Sequence, residues 1–228
     1  SELQDGRSIV VETFGNIPEY DGDAATFKVL LWDYPHQIVD ARSALIIPNE
    51  PAHLFFAYDY LPAWEVAQTI GLADNAQEFP RRTNELSYWA LTVEDPAFTG
   101  FTPVDAVQLA NGAALQGWQV QTIEDGTKLR LITAWQFAQE PQPGHFQQFN
   151  HLYAAGENAP HLVSDVYTSS SAWQAGDTLI TWADFDRPDA VITHFDVGMY
   201  TWPDLQRSPV QGTADPLAPI RLTMEAAP

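Results

Sequence analysis

Trp173, Tyr200, Trp202 and Asp204, in the second half of the chain, are the residue types that a sugar-binding surface needs. The flat C–H faces of pyranoses pack on aromatic rings, and neighbouring Asp, Asn or Gln groups take the hydroxyls. Trp173 precedes the turn at Ala175-Gly176-Asp177, and Trp202 stands just before Pro203, so each can be presented at a strand end. Trp118, Trp135 and Trp182 are further aromatics of the same stretch. Large aromatics also dominate sandwich cores, and Trp135 is expected to be one of those core rings.

Other chemistries find less support. Asp184, Asp186 and Asp189 cluster with Arg187 and could offer oxygen ligands to calcium. No glycine or bidentate glutamate completes such a loop, so a solvated turn is expected there. The histidines (His36, His53, His145, His151, His161 and His194) form no His-x-x-x-His or His-x-His pair, which argues against zinc. His151, beside Asn150, is expected to be a hydrogen-bonded structural residue. There is no Gly-x-Ser-x-Gly elbow, phosphate loop or dinucleotide fingerprint. Glycosidase chemistry needs two carboxylates across a cleft, and 30 acids single out no pair. Arg81-Arg82, the only basic pair, could grip a carboxylate or lipid phosphate, but an exposed loop pair is expected there. We therefore assign no catalytic residue, no metal ligand and no cofactor.

The elements that would position these residues change character along the chain. In the first half, Ser8–Thr13, Gln37–Asp40, Ala44–Pro48, His53–Tyr58 and Tyr88–Val93 read as short strands. Tyr20–Leu31 and Pro62–Leu72 read as helices, the second with Pro62 in its first turn and Gly71 near its end. Alternating β and α elements predict a small α/β layer with partly parallel strands. Two prolines and Gly100 punctuate the chain between Asp95-Pro96 and Thr102-Pro103, which places a boundary between residues 1–102 and 103–228.

Beyond it the period becomes two. Leu129, Leu131, Thr133, Trp135 and Phe137 share one face of a strand, while Lys128, Arg130 and Gln136 share the other. Val191, Phe195, Val197 and Met199 alternate with His194, Asp196 and Tyr200. Turn signals recur at Glu124-Asp125-Gly126, Gln142-Pro143-Gly144, Gly156-Glu157-Asn158 and Arg187-Pro188-Asp189. Together these predict an antiparallel β-sandwich, jelly-roll-like, and an α+β protein as a whole.

Composition narrows the partners. A net charge of −20 repels phosphate backbones and anionic membrane surfaces, so nucleic acid is not expected as a partner. The acids are evenly spread, as a solvated surface would have them. With no Cys, disulfides, thiolate zinc sites and Cys nucleophiles are excluded. No apolar run of about 18 residues is present to span a bilayer. The start at Ser1, without Met or a basic-plus-apolar leader, leads us to expect a piece of a longer protein or a processed product.

The order of several short motifs resembles one family. Leu115-Gln116-Gly117-Trp118, then Leu129-Arg130-Leu131 through Trp135, and Phe149-Asn150-His151-Leu152 follow one another. Asp165, Trp173 through Gly176-Asp177, and Gly198-Met199-Tyr200 come next, with Met199 where the family has leucine. Upstream stand Asp33-Tyr34-Pro35 and Val39-Asp40-Ala41-Arg42 through Leu45 and Pro48. This series resembles the soluble C-terminal region of bacterial multi-pass membrane glycosyltransferases, the group similar to dolichyl-phosphate-mannose protein mannosyltransferases. The resemblance implies a parent enzyme that uses a polyprenyl-phosphate sugar donor at the extracytoplasmic face of the membrane. That family's catalytic acids lie in its membrane part, so none maps onto this chain. What the resemblance leaves is a non-catalytic module partnered by the membrane-embedded catalytic region of its own parent chain, contacting acceptor or glycan. A free carbohydrate-binding protein, or a glycoside hydrolase on a jelly-roll-like sandwich, are the alternatives from other classes.

Overall fold

A computed structural model describes residues 5–80, 86–94, 100–137, 145–169 and 173–224. The Arg81-Arg82 pair, the Asp95-Pro96 punctuation and the Gln142–Gly144 turn lie outside the described residues. The chain divides into two compact units: residues 1–100 with 176–179, and 101–175 with 180–228.

The first unit opens with β1 (Ser8–Thr13), α1 (Gly22–Leu30), β2 (His36–Asp40), β3 (Ala44–Ile47) and β4 (Ala52–Phe56). It continues with α2 (Pro62–Thr69), β5 (Gln77–Phe79) and β6 (Tyr88–Val93). Its sheet runs β2-β1-β4-β6-β5, with β1 parallel to both β2 and β4, and β6 antiparallel to β4 and β5. Because β1 is paired on both edges and buried, its Ile9-Val10-Val11 stretch is a continuous β-branched run rather than an alternating one. Its two faces still differ. Ile9 and Val11 pack with Leu31, Phe27, Tyr34 and Phe55 on the α1 side. Phe56 belongs to the other face and meets Trp64 of α2 edge-on, ring centres 5.1 Å apart.

The expected helices are present but shorter. α1 starts only at Gly22 because Asp21 before it is in extended backbone, its carboxylate taking the Ile17 N–H at 2.9 Å instead of capping the helix. Leu30 is exposed, one residue off the row that Phe27 and Leu31 form. α2 stops before Gly71, whose φ of +76° is the left-handed end that glycine permits. β5 was not foreseen; all three of its residues are exposed, so it carries no apolar signal.

The second unit contains β7 (Thr102–Gln108), β8 (Ala113–Ile123), β9 (Lys128–Phe137), β10 (His145–Ala154) and β11 (Leu162–Val163). β12 (Val166–Ser169), β13 (Thr178–Asp186), β14 (Ile192–Thr201) and β15 (Ile220–Thr223) complete it. β13, β9, β8 and β7 lie side by side, and β11, β10, β14 and β15 form the second sheet, with β12 also paired to β10. Every pairing of registered strands in this unit is antiparallel. This is the expected sandwich, and the chain as a whole is α+β.

Its interior is filled by Trp135, Phe137, Phe146 and Phe195, with an unexpected polar centre. Gln148 of β10 takes the Trp135 indole N–H at 2.8 Å and the Thr181 hydroxyl at 2.7 Å. Its own amide donates to Thr133 and Asn150, at 3.0 and 2.7 Å. Such a group is tolerated inside only because every bond is made. β9 is covered on both faces: Arg130, expected in solvent, is buried and forks onto Asp184 at 2.7 and 2.9 Å. That pairing also occupies one acid of the Asp184–Asp189 cluster.

Candidate functional site

The candidate site lies on the face of β10 and β14 that points away from the sandwich core. Side chains alternate along a strand, so once Phe146, Gln148, Asn150 and Leu152 point inward, Gln147, Phe149, His151 and Tyr153 point out. The antiparallel register sets these opposite Tyr200, Gly198, Asp196 and His194. β15 adds Arg221 beside Asp196.

Phe149 is the floor of this face. A side chain at Gly198 would place its Cβ 2.5 Å from the ring, so glycine is what lets the ring lie across β14. The Arg207 guanidinium covers the ring, 4.7 Å from its centre, and Tyr200 stacks beside it at 6.5 Å. Arg207 is brought there because the chain folds back after Thr201, pairing Arg207 with Tyr200. Its guanidinium also donates to the Leu217 carbonyl at 3.1 Å.

The Tyr200 hydroxyl bridges Gln147 and Asp165, the latter at 2.7 Å. Burial, then the hydrogen bond and charge of Asp165, push this phenol up to about 12. Burial also lowers His151, helped by Arg207 and opposed by Asp165 and Asp196. His151 is therefore a neutral ring at neutral pH, able both to donate and to accept. At the far end His194 stacks on Tyr153, ring centres 4.4 Å apart, and its Nε2 lies 3.8 Å from Asp196. Asp196 is itself buried and forked by Arg221 at 2.9 and 3.0 Å, so it is neutralised rather than free.

The sequence-predicted residues separate on this surface. Tyr200 is in the cluster, half-buried, and Trp202 follows two residues later, 50% exposed, on the turn that carries Arg207 back. Asp204 is exposed in the same turn. Trp173 is elsewhere: it is 4% exposed and meets Phe137 of β9 edge-on at 4.0 Å, so its faces are not offered to a ligand. Gln147, Phe149, His151 and Arg207 were not singled out as binding residues. The alternation through β10 could have grouped the first three, but nothing local tied Arg207 to them.

The arrangement offers hydroxyl-binding groups (Gln147, Asp165, His151, Arg207) around aromatic surface. Among the described residues no set of three His, Cys, Asp or Glu side chains could hold a metal ion. Nor is any described helix long and apolar enough to cross a membrane. Compared with known protein families, curated proteins and solved structures, the chain matches none.

Proposed function

We propose that this chain is a non-catalytic, extracytoplasmic module of a membrane glycosyltransferase that uses a polyprenyl-phosphate sugar donor, and that it contacts glycan or acceptor through the β10–β14 outer face. One observation supports this reading above the others. An exposed indole, Trp202, follows by two residues a tyrosine whose hydroxyl is locked between an amide and a carboxylate. Stacking surface next to pre-positioned polar groups is how protein sites hold a pyranose. The motif order from Leu115 to Tyr200 supports the parentage, since those residues resemble the extracytoplasmic tail of such enzymes. The membrane-embedded catalytic region of the parent chain is its partner in this reading.

The test is a glycan panel titrated against the 228-residue chain by tryptophan fluorescence. Binding should weaken about tenfold in Trp202→Ala, the effect of losing roughly 1.4 kcal/mol of stacking. Trp173→Ala should act through stability alone. No glycan bound, or sugar hydrolysed by the purified chain, would overturn the proposal.

A further inference from the structure

Glu12 is a titratable group that no part of the binding surface uses. It lies in β1, in register with Val39 of β2 on one side and Phe56 of β4 on the other. It shares the face of Phe56 and has no solvent exposure at all. Its Oε1 accepts the Ile46 N–H of β3 at 3.2 Å, and its Oε2 has no hydrogen-bond partner. A carboxylate so placed would be an uncompensated charge among apolar side chains, whereas the neutral acid is tolerated.

Among the described residues the surroundings supply no counter-charge. Asp40 of β2 is the charged group that acts on Glu12, and it has the same sign. The nearby cation, Arg42, is committed to Asp40 through two bonds of 2.8 and 2.6 Å. His36 and His53 register with Ile9, at the other end of β1. Asp23 and Lys28 belong to α1, across the opposite face, β3 carries no titratable side chain, and Glu65 of α2 is exposed. Burial first, then Asp40, drives the Glu12 carboxyl well above the ordinary value, against the pull of the Ile46 N–H.

We propose that Glu12 is a proton-operated latch on the first unit: it is the neutral acid while β1, β3 and α2 are packed together, and it ionises when they part. The bond broken is its own O–H, and the proton goes to water. The sign follows from linkage. The packed form holds a proton that the open form releases, so latch stability is complete below the ordinary glutamate value. It is lost as pH rises toward the raised value of the packed form, by up to tenfold per pH unit.

Hydrogen exchange of the full chain, corrected for intrinsic exchange rates, tests this between about pH 5 and about pH 8. Opening of the β1 and β4 amides should rise with pH in the wild type and stay flat in Glu12→Gln, which keeps an oxygen for Ile46 without a proton to lose. Equal slopes in the two proteins would overturn the proposal. Should Glu12→Gln not fold, infrared spectra of the wild type labelled at glutamate decide the matter. A protonated-acid carbonyl band persisting at neutral pH supports the latch, and its absence refutes it.

Discussion

Replacing Gly198 with alanine tests the floor of the candidate site. Gly198 lies opposite Phe149 in the β10–β14 register, and an added Cβ would sit 2.5 Å from Cζ and 2.7 Å from Cε1 of that ring. Ordinary contact begins about 1 Å farther out, so the ring must tilt or β14 must bend. The ring has little room: it is buried, Arg207 covers it and Tyr200 flanks it. Overpacking of this kind costs about 1–3 kcal/mol. For a chain of this size that lowers the melting midpoint by roughly 2–4 °C per kcal/mol. The assay is urea unfolding of the full chain, read for Gly198→Ala, Phe149→Leu and the double variant. Leucine lacks the far ring atoms that clash, so the double variant should be more stable than the two single losses predict, by about 0.5–3 kcal/mol of coupling. A Gly198→Ala loss under about 0.5 kcal/mol, or strict additivity, would refute the claim that glycine is present to admit the ring.

Two further outcomes follow from buried or paired polar groups. Gln148→Leu should destabilise the sandwich by about 1–3 kcal/mol in denaturant titrations, because it takes the amide acceptor from the Trp135 N–H and the Thr181 hydroxyl and leaves Thr133 as the partner both must share. A neutral effect would mean that the polar centre is rearranged rather than lost. Tyr200 should be the last tyrosine to ionise in an ultraviolet titration, since its phenol is pushed up to about 12 by burial and Asp165. Its neutral form is favoured in the fold, so Asp165→Asn should move its titration to lower pH, and Tyr200→Phe should delete the highest-pH component.

The legibility of this chain varied by element. β1, β4 and β6 could be read from β-branched and aromatic runs, and α2 from Pro62 and Gly71, because each signal is local. β5 could not, being short and exposed. The alternation in β9 correctly placed Trp135 inside, yet it put Arg130 in water. Alternation reports which residues share a face, not whether that face is covered. Arg130 is buried because Asp184, 54 residues away, supplies a planar partner. Likewise Val191, expected inside, lies just outside β14 and is exposed.

β10 sharpens the distinction. The sequence by itself determined that Gln148 and Asn150 share one face and Phe149 and His151 the other. Transfer energies alone would bury the phenylalanine side and leave the amides wet. Tertiary structure decided otherwise for the amides, because Thr133, Thr181 and Trp135 arrive from other strands and satisfy Gln148 where no water reaches. Phe149 is covered on the other face by Arg207, which only the fold-back after Thr201 delivers. Likewise Trp173 and Trp202, equivalent as sequence candidates, differ because one meets Phe137 across the core and the other ends a strand at the surface. Periods and turn residues act over a few bonds and are written in the chain. Which polar groups find partners depends on segments far apart in sequence, and that is settled only when they meet.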